Sequence, residues 1–215
     1  MAKGGFSILI FAIFSAVSFE NAWALEPFAT DTTGFYLVKK SAGIDLYERW
    51  YAIKPDQPAR EIRATFMIDT TPEAAIALMK DASKGKQWNK STDTYNVVEA
   101  AEDSWICYIQ YNLPWPVSNQ DCVLHYNVHL KTDTVTISFN GIEHSLFPVY
   151  RRVQRIQEIR GKWIFIKTGN QFKVEYYITT TPSRTLPGWM TDPIIRNNLV
   201  DTMVSFRSLL EGKKD

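Results

Sequence analysis

The stretch DSWICYIQYNLPWPVSNQDCVLHYNVHLK, Asp103 to Lys131, sets two alternating apolar runs on either side of Pro114-Trp115-Pro116. In the first run Trp105, Cys107, Ile109 and Tyr111 share one face. In the second Cys122, Leu124, Tyr126, Val128 and Leu130 do so, with His125, Asn127 and His129 opposite them. Side chains alternate along a strand, so each run reads as a β-strand with one apolar face. The two prolines fix the connection in an extended form and remove backbone donors.

The same pattern continues on both sides. LYERWYAI (46–53) and EIRATFMID (61–69) read as strands joined by a turn at KPDQPA. Thr71 is an N-cap with Pro72 at the first helical position, and Ala75, Leu78 and Met79 form a helical stripe that Gly85 ends. Strands follow at TYNVVEAA, the opening hairpin, TVTISFNG, VYRRVQRIQEI, KWIFIKT and QFKVEYYIT. The last element, MTDPIIRNNLVDTMVSFRSLLEG, spaces Ile195, Leu199, Met203, Phe206 and Leu210 as one long amphipathic helix. A sheet of this size curls, and one helix lies across its hollow. The expected class is α+β, a curved antiparallel sheet wrapped around a C-terminal helix with an internal cavity. This is the helix-grip arrangement.

The chain has 215 residues, a formal charge of +1, 45% hydrophobic and 13% aromatic content. A balance this close to neutral argues against nucleic acid as a partner. Lys3, the apolar run Phe6–Phe19 and Ala22-Trp23-Ala24 read as a signal peptide over residues 1–24, cleaved near Ala24. The expected location is therefore periplasmic or secreted, with one domain over 25–215 and a monomeric state. In an oxidising compartment Cys107 and Cys122 either form a bridge across the hairpin or stand as two buried thiols.

His125 and His129 share a strand face but stand about 13 Å apart, too far to hold one metal ion together. No metal or cofactor is expected. No nucleophile elbow, zinc-protease motif or glycine-rich phosphate loop occurs, and no catalytic residue is assigned.

The order of elements and two local segments resemble the START family, the StAR-related lipid-transfer domains. YNLPWPVSNQDCV is similar to that family's strand, proline-rich loop and strand, W-P-[hydrophobic]-S-x-R-D. TPSRTLPGWM, Thr181 to Met190, is similar to its P-x-G-x-[hydrophobic]-P-x-W lead into the last helix. The likeness spans roughly Gly34 to Leu210. Gln120 replaces the usual arginine, removing the usual charged partner of Asp121, and Arg184 stands where glycine is common. The resemblance implies a lipid-sized apolar cavity, binding or transfer of one hydrophobic molecule, transient membrane contact and generally no chemistry. A polyketide cyclase-like enzyme in the same cavity is the alternative, and an interaction module with a filled interior is a third.

Strand alternation nominates the wall: Trp105, Ile109, Tyr111, Leu124, Tyr126, Phe139 and Tyr176, faced by Leu199 and Met203 of the helix. Trp115, and Trp189 in Leu186-Pro187-Gly188-Trp189, are candidates for the mouth. Each serves either as part of a gate or as a rigid aromatic connection. The four arginines of VYRRVQRIQEIR read mainly as a solvated strand face. Arg151 or Arg155, in phase with Val149 and Val153, is the candidate to turn inward towards a head group.

Overall fold

The computed structural model describes residues 34–55, 57–115, 117–181 and 187–212. The expected signal peptide, Pro116, Arg184 and Leu186 lie outside them. The described residues build a 10-stranded sheet, antiparallel except for the β6–β8 pair, with two short helices and one long one. The sequence reading missed the first strand, β1 (Tyr36–Ser41), a half-exposed edge with little alternation. It turns into β2 (Ile44–Lys54) through Ala42 and Gly43, both at positive φ. That is the backbone a two-residue hairpin turn requires. β3 (Gln57–Ile68) returns beside β2.

The helical segment divides at Asp81 rather than at Gly85. Asp81 ends α1 (Pro72–Lys80), and its carboxylate caps α2 (Ala82–Trp88) by accepting from the Ser83 amide at 2.9 Å. Thr71 caps α1 as read from sequence. Gly85 has a different use: any side chain there would overlap the Tyr95 ring that packs against α2.

Then come β4 (Thr92–Ala101), β5 (Ser104–Tyr111), β6 (Gln120–Lys131), β7 (Thr134–Gly141), β8 (Gln154–Arg155), β9 (Ile159–Thr168) and β10 (Gln171–Thr180). The spatial order is β1-β2-β3-β10-β9-β7-β6-β5-β4, with β8 beside β6. Successive hairpins therefore make each half, and the long-range pair β3–β10 joins the halves. The helix α3 (Gly188–Leu210) lies across the concave face, with Val200, Met203 and Phe206 in the core.

The arginine-rich run is not a continuous strand. Only Gln154–Arg155 pair, in parallel with Gln120 and Asp121, before β9 begins at Ile159. The loop over 142–153 instead folds onto the convex face. There Phe147 stacks on Tyr108 at 4.9 Å and, with Val123, makes a second small core. The outer face of β6, read from sequence as solvated, is thus partly covered. Arg151 is exposed in this loop and cannot serve as an inward arginine. Arg155 turns in, but on the convex side. Its Nε and Nη2 donate to Asp121 at 2.7 and 3.0 Å, and Nη2 also reaches the carbonyls of Phe147 and Pro148. Asp121 therefore keeps an arginine partner, supplied by β8 in place of Gln120.

Candidate functional site

The concave face is built by alternation. β5 contributes Trp105, Cys107, Ile109 and Tyr111; β6 contributes Cys122, Leu124 and Tyr126; β7 and β10 contribute Phe139 and Tyr176. Of these, Trp105, Ile109, Leu124, Tyr126, Phe139 and Tyr176 are buried, as is Met203 from α3, while Tyr111 and Leu199 are half-buried. The assigned wall residues therefore do converge on one face. They also pack on each other. Trp105 stacks on Tyr126 (4.9 Å), Tyr126 meets Phe139 (5.3 Å), and Phe139 meets Tyr176 (6.0 Å). Tyr176 then meets Trp163 (4.5 Å), which touches Phe206 of α3 (4.9 Å). Phe139 can lean across because Gly161 lies beneath it; a Cβ there would overlap its ring and the Tyr177 carbonyl oxygen.

The hairpin register pairs Cys107 with Leu124 and Ile109 with Cys122. The thiols are therefore diagonal neighbours, normally about 7–8 Å apart, and not an opposed pair. Both are free and buried. Burial pushes the Cys107 thiol up to about 12 and that of Cys122 higher still. Neither is a thiolate nucleophile near neutral pH.

Two charges that sequence reasoning passed over lie on the same face. Glu48 is fully buried, in phase with Ile44 and Leu46, and Arg60 is buried in phase with Ile62. Arg60 donates to Glu48 and, at 2.9 Å, to Asp192 of α3. Arg196, one turn on, donates to both Glu48 oxygens at 2.9 Å. Burial alone would raise the Glu48 carboxyl, but the hydrogen bonds from Arg196 and Arg60 outweigh it and hold it below its ordinary value. The signal was an acid inside the apolar phase of a strand, which the alternation rule flags as needing a partner.

The first half of α3 is held by polar contacts of this kind, including Lys39 to Asn197 and Asn198 to Ser91. Its outer side borders a groove of about 640 Å³ lined by Lys90, Ser91, Pro114, Ile194, Asn197, Asn198, Asp201, Val204 and Ser205. Ser91 holds a positive φ of 60° there, and its carbonyl accepts from the Asn112 amide at 2.8 Å. Trp115, next to Pro114, is 88% exposed, so it covers no sheet edge and reaches into solvent beside the groove. Trp189 lies in the first turn of α3, and its side chain is outside the described residues. The Tyr111 hydroxyl accepts from Asn89 at 3.3 Å. No group of three or more His, Cys, Asp or Glu is placed to hold a metal ion among the described residues.

A family model of the START domain matches residues 38–214. The chain belongs to the START domain family. A STAR-related lipid transfer protein from Xanthomonas axonopodis superposes with a TM-score of 0.71 at 24% identity, covering 82% of this chain and 98% of that one. Human StAR-related lipid transfer protein 5 gives 0.69 at 15% identity, over 85% and 88%. The ZhuI aromatase/cyclase from Streptomyces gives 0.51 at 9% identity, over 71% and 94%. An uncharacterized Pseudomonas aeruginosa protein is 23% identical over 139 residues, 64% of this chain and 68% of its own. Structures that share this START fold thus include lipid transfer proteins and a cyclase, and at these identities the likeness is one of fold.

Proposed function

We propose that this START domain binds one hydrophobic, lipid-like molecule between the concave sheet and α3 and carries it without chemical change. The observation that supports this most directly is the convergence of Trp105, Ile109, Leu124, Tyr126, Phe139 and Tyr176 on one concave face opposite Met203 of α3, in a chain whose START domain match runs over residues 38–214. Burial of an acyl chain or ring system there supplies roughly 25 cal/mol per Å² of apolar area.

The groove beside Pro114 and the polar-anchored half of α3 provide the entry route. Water can replace hydrogen bonds and ion pairs more readily than it can replace the apolar contacts of Val200, Met203 and Phe206. The inner face offers no thiolate and no unpaired acid among the described residues, which favours carriage over catalysis. We also propose export, with the leader over 1–24 removed.

The test is native and intact-mass spectrometry of the full chain expressed in a Gram-negative host and recovered from the periplasm. The expected result is a mature chain starting at Leu25 with one lipid bound per protein. A protein that takes up nothing, even after incubation with a total membrane lipid extract, overturns the carrier reading.

A further inference from the structure

The loop over 142–153 joins β7 to β8 and is fastened to the sheet at several points. Phe147 stacks on Tyr108, Arg155 holds the carbonyls of Phe147 and Pro148, and the Gln154 amide donates to the Asn119 carbonyl at 2.9 Å. Yet this fixed loop leaves three large apolar side chains in solvent: Leu146, Val149 and Tyr150 are 62%, 66% and 44% exposed. The chain then reverses over Tyr150–Val153, where the Val153 amide donates to the Tyr150 carbonyl at 3.3 Å. Arg151 and Arg152 take the two central positions of that turn, and both are exposed. Arg152 holds a φ of 70°, a conformation that glycine or asparagine adopts at lower cost. An arginine there runs against backbone preference, and neither arginine has an ion-pair partner among the described residues to account for it.

The position of the loop gives this a direction. β2, β5, β7 and β10 run the same way through the sheet, so their C-terminal ends lie at one end of the molecule. Trp50 and Ile53 stand near the end of β2, Trp115 follows β5, and the 142–153 loop follows β7. Six of the eight exposed large apolar side chains among the described residues are therefore gathered at this end. The groove beside Pro114 is here too, and the Arg60–Asp192 pair places the first turns of α3 here. The acids nearest to the two arginines in the chain are already engaged: Glu143 accepts from Gln157, and Glu158 accepts from Gln57 and Thr181. Separate apolar tips with unpaired cations between them do not make the continuous, pocketed patch of a protein interface. They fit a bilayer surface, where Trp and Tyr rest at head-group level and each arginine near anionic lipid adds about fivefold in binding. Resting on the reading that the domain carries a hydrophobic molecule, we propose that this end docks on anionic membranes through the 142–153 loop. Arg151 and Arg152 pair with anionic head groups, Leu146, Val149 and Tyr150 enter the head-group layer, and the groove beside Pro114 is brought to the surface that the cargo must cross.

The test is co-sedimentation of the full chain with vesicles of phosphatidylcholine, alone or with about 30 mol% phosphatidylglycerol. The anionic vesicles are expected to bind at least about tenfold more tightly, with the difference shrinking at high salt. Arg151→Gln and Arg152→Gly are each expected to weaken binding to them about fivefold, and Leu146→Ser about 3–10-fold. Any contribution of residues 1–24 is common to all variants and cancels. Arg152→Gly separates docking from folding: glycine suits the positive φ, so its urea midpoint is expected to hold or rise while docking falls. A merely structural arginine would lower the midpoint and leave docking unchanged. Equal binding to both vesicles, binding to neither, or arginine variants that dock like the unmodified chain overturns the docking surface. The carrier reading is then untouched, since it is judged by lipid capture in mass spectrometry. A chain that docks on anionic vesicles but captures no lipid keeps the surface and loses the carrier reading.

Discussion

Gly161 shows how one residue sets the shape of the interior. The sequence reading places it in the connection between VYRRVQRIQEI and KWIFIKT, whereas it is the third residue of β9. In the fold it lets the Phe139 ring cross beneath the helix and reach Tyr176. Gly161→Ala is expected to destabilise the protein by about 1–3 kcal/mol through overpacking, read as a lowered urea midpoint. The face shared by Trp105, Ile109, Leu124 and Tyr126 was legible because alternation needs only local information. The partner of Asp121 was not, because Arg155 reaches it from β8, at the end of a loop that Phe147 anchors on Tyr108. For the same reason Arg151 read as strand in phase but stands in solvent.

α3 is an element with two kinds of attachment. Its later turns bury Val200, Met203 and Phe206, and the 3.6-residue period made that half legible. Its earlier turns are fastened by Asp192 and Arg196 to Glu48 and Arg60, a tetrad drawn from three elements that no single-segment pattern reveals. Glu48→Gln leaves the buried Arg60 and the half-buried Arg196 with Asp192 as their remaining carboxylate and is expected to lower stability by about 3–5 kcal/mol in urea unfolding. The pH dependence follows from the depressed Glu48 carboxyl. Its contribution is full above the ordinary value of 4.5 and is lost as pH falls through the lower folded value. Urea midpoints of the unmodified chain should therefore drop on acidification below about pH 4.5 more steeply than those of Glu48→Gln.

At the scale of the whole molecule, the grip was readable from the order of elements and from two proline–tryptophan segments. The packing of its interior was not, since one alternation pattern serves both a wall and a filled core. If an apolar ligand completes that interior, its removal should be felt globally. At a hundredfold excess over Kd a ligand adds about 2.7 kcal/mol. Stripping it should thus lower the Tm by about 5–10 °C for a domain of this size, measured by thermal denaturation before and after solvent extraction. The strand order carries a further consequence, for biogenesis. Ile68 takes Phe172 as its neighbour, so the first three strands keep an open edge until nearly the whole chain has been synthesised. An edge of unsatisfied amides invites pairing with other chains, and closing so long a loop is slow. A nascent chain halted before β10 is thus primed for aggregation, and timely protection by a chaperone bears directly on the yield of this protein.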